Sequence, residues 1–192
     1  EPFDVPLDEG FPGNDQPQQY RNSVHYTDRT LAAFLDASKK QTWYDSTLFI
    51  IVADHGHFLP HNRGSFAAER HRIPLLFTGG ALRKDLRGKE NDTFGCHVDL
   101  AATLLGQLDL SRPLFIWSKD LFDPNRPHFA FWTFDDGFGI ADATQAQVYD
   151  NLSGLLLQHR DTSRSESDDS DQLVNGKALE QVLLDQYIKL SQ

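Results

Sequence analysis

The residues best suited to chemistry are Asp54 and His55, which follow an apolar run and precede Gly56. A carboxylate offers a hard oxygen and an imidazole a nitrogen, so the adjacent pair can supply two ligands to a divalent cation. Gly56 lets the backbone turn sharply without placing a side chain beside them. The same pair is also compatible with a turn residue followed by a helix-capping residue. The spacing alone therefore leaves a metal site and a structural turn both open.

A polar segment rich in histidine and arginine follows this Asp-His-Gly motif and is longer than most connections between elements. Its members that could contact a ligand are His57, His61, Arg63 and His71. Each histidine taken singly is more typical of the surface than of a site. Together with Arg63, however, the histidines could form a pocket for a doubly charged anion.

The elements that would position these residues alternate between strand and helix. The continuous apolar run at 48–52 favours a central strand covered on both faces, as in a parallel sheet. We predict strands at 47–53 and 73–79 and helices at 19–40 and 98–108. Ligands of open α/β sheets bind beyond the carboxyl ends of the strands, where Asp54 and His55 fall. The prediction is an α/β fold with a mostly parallel sheet flanked by helices.

The second half of the chain predicts a β-hairpin over residues 129–149, with a glycine turn, and an amphipathic helix over 173–190. Between them, the acidic segment 161–172 is predicted to be a mobile loop. Lys119 and Asp120 are predicted to be solvated charges. The hairpin aromatic residues could either fill a core or line a groove for a lipid or glycan: Phe129, Phe131, Trp132, Phe134 and Phe138.

Composition limits the function classes that are open to this chain. Its 192 residues suit one domain, residues 1–192, and a formal net charge of −10 argues against a nucleic-acid partner. Cys96 is the single cysteine, which excludes an internal disulfide and a multi-cysteine zinc site. No apolar stretch approaches the length of a membrane-spanning helix. Because methionine is absent, we expect a processed chain or a piece of a longer one.

Three ordered motifs resemble the carboxy-terminal part of the alkaline phosphatase superfamily in its sulfatase-type branch. They are IVADHGH, RHRIPLLFTGGAL and CHVDLAATLLGQL, within residues 47–108. Three further segments are similar to the phosphoglycerol transferases of the lipoteichoic acid synthase type: EPFDVP, YRNSVHYTDRTLAAFL and PHFAFWTFDDGFG. Together these segments extend the resemblance over most of residues 1–150.

The resemblance implies that Asp54 and His55 are metal ligands, with Mn or Zn favoured and Mg or Ca as further options. His57, His61 and Arg63 are assigned to substrate by their position. The family nucleophile lies upstream of the Asp-His pair, and no residue of 1–46 matches its motif, so we expect no catalytic residue within this chain. His97 stands where Gln is usual. It is either a further metal ligand or a helix-start histidine bonded to backbone.

The function implied by the resemblance is metal-dependent transfer or hydrolysis of phosphate esters through a covalent intermediate. The substrate would be a phosphate or sulfate ester, with lipid-linked phosphoglycerol as one option, and the chain alone would be inactive. The parent would be a membrane-anchored protein of the cell envelope with this part on the extracytoplasmic side. A sulfatase, a non-catalytic binding homologue and a purely structural domain are the alternatives; the last leaves the Asp-His-Gly motif unexplained.

Overall fold

The computed structural model describes residues 3–5, 10–111, 114–161 and 166–191, with the backbone alone for 158–161 and 166–170. Its helices and strands in chain order are α1 Gln16–Ser38, β1 Phe49–Val52, β2 Leu75–Thr78, α2 Asp99–Gln107, β3 Ala130–Phe134, β4 Gly137–Ala141, β5 Gln145–Asp150, β6 Leu155–Asp161 and α3 Glu166–Leu190. This mixture confirms the predicted α/β class. The helices predicted at 19–40 and 98–108 correspond to α1 and α2.

The chain divides into two compact units, where the sequence predicts one domain. The first unit comprises Glu1–Ser65 and Glu69–Glu90, and the second comprises Phe66–Ala68 and Asn91–Gln192. The first unit holds α1, β1 and β2, and the second holds α2, α3 and the remaining strands. Within the described ranges, no helix is both long enough and apolar enough to cross a membrane.

Helix α1 begins where its sequence provides a cap. The Asp15 carboxylate accepts a hydrogen bond of 2.9 Å from the backbone N–H of Gln18, and proline occupies the first turn. Both features favour a helix start, because the first N–H groups of a helix have no partner within it. At the other end of α1, the ring of Phe34 packs edge-on against Phe49 of β1, with centroids 5.8 Å apart. This contact ties the helix to the strand that precedes the Asp-His-Gly motif.

Strands β1 and β2 pair antiparallel, with Phe49 opposite Thr78 and Val52 opposite Leu75. A mostly parallel sheet is therefore the wrong prediction for this pair. A parallel pair needs a crossover, usually a helix, that returns the chain to the starting edge. The connection between β1 and β2 contains only the short 3-10 turn Ala68–Arg70, so β2 runs back along β1. The apolar run was correctly identified as a strand, but its residues are half-buried.

The four strands β3, β4, β5 and β6 form a second antiparallel sheet in sequence order. The hairpin predicted over 129–149 is partly wrong, because Gly137 and Gly139 of its predicted glycine turn lie in strand β4, which pairs with β3 on one side and β5 on the other. Short turns join each strand to the next, so the segment forms a four-stranded meander with β6. Helix α3 packs on β4 and β5. At Gly176 of α3, a Cβ atom would meet the ring of Phe138, so glycine permits this close approach. Phe138 and Val148 are fully buried in the resulting core.

Helix α3 begins at Glu166, so residues 166–172 of the predicted acidic loop are helical. Residues 162–165 of that loop lie outside the described residues. The helix predicted at 173–190 is therefore longer at its amino-terminal end, and it ends at Leu190 as predicted.

The prediction of solvated charges at Lys119 and Asp120 is wrong. The Lys119 side chain is 14% exposed, and its Nζ lies 3.0 Å from Oδ1 of Asp99, whose side chain is fully buried. Asp120 is also buried and accepts a hydrogen bond from the backbone N–H of Phe122 at 2.9 Å. Both residues belong to an irregular segment that packs against α2. Because the segment is neither helix nor strand, its sequence has no hydrophobic periodicity from which burial could be predicted.

Candidate functional site at the end of strand β1

The Asp-His-Gly motif lies directly beyond β1, in a bend that begins two residues after Val52. The Asp54 side chain is 88% exposed and the His55 side chain is 68% exposed. Their position at the end of a strand therefore does not bury either side chain. Both side chains are accessible to an ion or an anionic ligand.

Local hydrogen bonds orient this pair. The backbone N–H of His55 donates to Asp54 Oδ1 at 2.9 Å, and His55 Nδ1 lies 2.8 Å from the carbonyl oxygen of Gly56. Since a carbonyl only accepts, Nδ1 carries the proton, and in the neutral ring Nε2 has the lone pair. Nε2 lies 3.6 Å from Asp54 Oδ2. The pair thus presents one nitrogen and one oxygen donor side by side.

Gly56 has a steric reason to be glycine. A Cβ at this position would meet the backbone carbonyl of Arg70, where the long polar loop returns toward β2. The end of the loop thereby crosses directly over the Asp-His-Gly motif. Any other residue at position 56 would displace this crossing, so the motif glycine fixes the path of the loop.

His57 is enclosed by aromatic rings. Its imidazole stacks on Tyr20 of α1 at 4.6 Å and on Phe58 at 4.5 Å, and it meets the edge of Phe3 at 5.8 Å. His57 Nδ1 accepts a hydrogen bond of 3.0 Å from the backbone N–H of Leu59. The neutral ring therefore carries its proton on Nε2, as a hydrogen-bond donor.

The other predicted loop residues take different positions. His61 is exposed, and Arg63 is half-buried with its backbone N–H donating to the carbonyl of Phe58 at 2.9 Å. His71 is half-buried, and its Nε2 lies 2.7 Å from the carbonyl oxygen of Ser65. That bond closes a short loop, which gives His71 a structural contact that the sequence does not indicate.

Residues 5–110 match the family described as Sulfatase, which is more than half of the 192-residue chain. The chain belongs to the sulfatase family. The matched segment contains the Asp-His-Gly motif and the long polar loop, and it extends through α2. The predicted resemblance to the sulfatase-type branch is therefore confirmed.

Two known proteins extend the similarity beyond this segment. Lipoteichoic acid synthase 2 of Bacillus subtilis (strain 168) is 24% identical over 208 residues, covering 92% of this chain and 31% of that protein. A crystal structure of a protein in the alkaline phosphatase superfamily from Vibrio parahaemolyticus matches with a TM-score of 0.67 and 22% identity, over 97% of this chain and 47% of that one. The chain thus spans less than half the length of either, and the solved structure supports the fold.

The described residues do not contain a complete set of candidate metal ligands. No group of three or more histidine, cysteine, aspartate or glutamate side chains in the described ranges is arranged to hold a metal ion. Asp54 and His55 fit two positions of such a site by donor type and orientation. Structural and catalytic zinc sites use three or four protein ligands, so further ligands are required.

His97 lies in the second unit, at the start of α2, and is exposed. Its carbonyl oxygen accepts the backbone N–H of Leu100 at 3.1 Å, in the first turn of the helix. This backbone contact is compatible with the helix-start role that the sequence leaves open for His97, and its side-chain role stays a prediction.

Tyr20 and Arg70 are the contributors that sequence reasoning missed. Tyr20 is one of the regularly spaced apolar residues of α1, and this spacing predicts that it packs in the core. In the structure its ring stacks on His57. Arg70 contributes through its backbone carbonyl at Gly56, which no side-chain pattern indicates. Both contacts join residues distant in sequence, so no local motif could have found them.

Proposed function

We propose that this chain is part of a metal-dependent enzyme that transfers or hydrolyses phosphate esters through a covalent intermediate. The observation that carries the proposal is the oriented pair at the end of β1, with Nε2 of His55 3.6 Å from Oδ2 of Asp54. Membership of the sulfatase family and the similarity to a lipoteichoic acid synthase support it.

Asp54 and His55 would hold a divalent ion, for which Mn or Zn suits the mixed oxygen and nitrogen donors, with Mg or Ca as further options. Such an ion, when bound, neutralises charge on the ester and lowers the pKa of the attacking group. The Gly56 carbonyl accepts from His55 Nδ1 at 2.8 Å and so holds the ring with Nε2 as the ligand atom. The nucleophile is expected upstream of residue 1, because no residue of 1–46 matches its motif, and the remaining ligands are expected from elsewhere in the full-length protein.

His57, His61 and Arg63 are proposed to bind the anionic group of the substrate. Arg63 would supply paired donors to its oxygens, and the aromatic enclosure of His57 fixes the direction of its Nε2 proton. Lipid-linked phosphoglycerol is proposed as one option for the substrate, on the basis of the resemblance to phosphoglycerol transferases and the similarity to a lipoteichoic acid synthase. On the same basis, we propose that the parent protein is anchored in a membrane and acts at the cell envelope.

Sulfate-ester hydrolysis is the second candidate, because the family match carries the description Sulfatase. Phosphate and sulfate esters present similar tetrahedral oxyanions to a metal and an arginine. They differ in the atom at which the ester is cleaved, phosphorus or sulfur, so a direct comparison of the two substrates separates the candidates.

The test measures hydrolysis of a chromogenic phosphodiester and of an aryl sulfate by the full-length gene product with added Mn or Zn. We expect phosphodiester turnover, and we expect Asp54→Asn to reduce it by about 100-fold or more together with the bound metal. Because Asp54 is exposed, the fold should not change, which circular dichroism checks. Asp28→Asn, an equivalent charge loss at an exposed position of α1, is the matched control and should retain both.

Each other outcome of this test has a defined meaning. Preference for the aryl sulfate would replace the phosphoesterase proposal with a sulfatase. Bound metal without turnover of either ester would point to the non-catalytic homologue. Metal content unchanged in Asp54→Asn would remove Asp54 from the site. Residues 1–192 alone are expected to show no turnover, and activity of that chain would place the nucleophile within it.

A further inference from the structure

Two aromatic rings stack on the imidazole of His57, and they reach it from different parts of the chain. The Phe58 ring lies 4.5 Å away between centroids, at an interplanar angle of 26°, and its contact is local because Phe58 is the next residue. The Tyr20 ring lies 4.6 Å away at 13° and belongs to α1. The position of the His57 ring therefore depends in part on how α1 packs against the polar loop.

The stack on Tyr20 is supported by a third ring. Phe3 meets the edge of Tyr20 at 5.6 Å and the edge of His57 at 5.8 Å, and both Tyr20 and His57 are half-buried. An aromatic pair contributes roughly two- to tenfold to an equilibrium constant beyond the area that it buries. One such contact can favour a single orientation of a ring, although it adds little to the stability of a whole domain.

A hydrogen bond fixes the remaining freedom of the His57 ring. Its Nδ1 accepts from the backbone N–H of Leu59 at 3.0 Å, and Leu59 is buried. This bond opposes a flip of the ring about its own axis, whereas the stacked rings oppose its tilting. The other polar atom of the ring, the donor Nε2, is thereby held in one direction. A donor held in this way loses less side-chain freedom when it binds a ligand.

We propose that Tyr20 is a positioning residue for anion binding and acts through His57. This inference rests on the proposed function, in which His57 binds the anionic group of the ester. The stacked ring of Tyr20 holds the imidazole with its Nε2 proton directed at an ester oxygen, and the tyrosine hydroxyl plays no part. Helix α1 then contributes to substrate binding, although Tyr20 itself does not contact the ester.

The test measures binding of inorganic phosphate to the full-length gene product by isothermal titration calorimetry, beside KM and kcat for the chromogenic phosphodiester. Tyr20→Ala should weaken phosphate binding and raise KM by about fivefold each, because the imidazole is no longer held. The kcat and the bound metal should not change, since only binding is affected. Tyr20→Phe keeps the stacked ring, and it should bring both values back to within about twofold of the unmodified protein.

A double-mutant cycle separates positioning from packing. His57→Ala should weaken phosphate binding by about tenfold, through loss of a donor to an anion. Tyr20→Ala added to His57→Ala should cause no further loss, because the ring through which Tyr20 acts is gone. If Tyr20 only packed α1 against the loop, its replacement would cost the same in both backgrounds.

Phe34→Ala is the matched control. It removes another aromatic contact of α1, the edge-on contact with Phe49 of β1 at 5.8 Å, which does not involve His57. Phosphate binding should stay unchanged in this variant. Circular dichroism checks that each variant folds. If Tyr20→Ala does not fold, Tyr20→Leu takes its place, since leucine keeps apolar volume but has no ring.

Four results would overturn the proposal. Equal losses from Tyr20→Ala with and without His57 would make Tyr20 a packing residue. Failure of Tyr20→Phe to restore binding would show that the hydroxyl is required. An unchanged affinity in Tyr20→Ala, beside weaker binding in His57→Ala, would remove Tyr20 alone and leave the proposed function intact. Phosphate binding that is absent, or that His57→Ala does not weaken, would remove His57 from the anion site and Tyr20 with it.

Discussion

At the residue scale, the proposed metal-binding pair is held by a very short stretch of backbone. The bonds that orient Asp54 and His55 come from the motif itself, through the N–H of His55 and the carbonyl of Gly56. Such contacts between neighbouring residues form as soon as the local turn forms. The orientation of the two proposed ligand atoms is therefore largely a local property, whereas completion of a metal site would need residues from elsewhere.

Arg63 provides a test of anion binding that is separate from metal binding. Arg63→Ala in the full-length product should raise KM for the phosphodiester by about tenfold, because a charge-assisted contact to the ester oxygens is lost. Bound metal should stay unchanged, since the arginine offers no ligand atom to a cation. Steady-state kinetics and metal analysis measure the two effects. Lys40→Ala, an exposed charge loss at the end of α1, is the control, and equal loss of metal and substrate would contradict the anion role.

At the element scale, the start of α2 is held by a buried carboxylate. Asp99 accepts from the backbone N–H of Cys96 and from that of Lys119, each at 2.8 Å, and its Oδ1 also faces Lys119 Nζ. The preceding Cys96 receives the N–H of Phe131 on its sulfur at 3.1 Å, at the outer strand β3. Burial raises the pKa of the Cys96 thiol, so it stays protonated in this position. The segment thus joins α2 to the sheet through polar contacts.

Asp99→Asn should destabilise the protein by about 3 kcal/mol, because Lys119 would lose its charge partner in a largely buried position. Urea unfolding followed by circular dichroism measures the change in the free energy of unfolding. Asp36→Asn is the matched control. Asp36 pairs with Lys39 on the exposed surface of α1, so its loss should leave the midpoint unchanged within error. A similar small effect for Asp99→Asn would show that the buried pair does not stabilise α2.

At the scale of the whole molecule, charge sets which partners are accessible. The formal net charge is −10, and the anion-binding residues proposed here form one small local set. In the proposed function, recognition of a phosphate ester would therefore depend on a metal and on Arg63 and not on a general positive field. The Asp-His-Gly motif belongs to the first compact unit, and a groove lined by residues of β4 and α3 belongs to the second.

This charge predicts that the protein does not bind nucleic acid. In 0.15 M salt, fluorescence anisotropy with a labelled 20-base-pair duplex should give a dissociation constant weaker than about 0.1 mM, outside the usual range of non-specific binders. Lowering the salt should not produce binding, because the net charges of protein and duplex repel. Binding that strengthens as salt falls would contradict this expectation and indicate a basic surface.

Local sequence patterns were enough to predict the α/β class, the helices α1 and α2, the position of β1 and the Asp-His-Gly motif with its family. These features depend on hydrophobic periodicity, capping residues and short-range spacing, all of which act over a few neighbouring residues. The proposed ligand pair could be identified for the same reason, since Asp54 and His55 are adjacent. The strand predicted at 47–53 is present, but it is shorter than predicted and spans Phe49–Val52.

Three features could be learned only from the folded structure: the antiparallel pairing of β1 with β2, the burial of Lys119 beside Asp99 and the stacking of His57 on Tyr20. Each depends on which distant segment the chain meets after folding. An apolar run predicts a strand, but it does not say whether the neighbouring strand runs parallel or antiparallel. A charged residue is predicted to be exposed, and only the fold reveals a buried residue of opposite charge beside it. The groove under α3 arises in the same way, because His128 and Gln172 become neighbours of one cavity only when the helix packs on the sheet.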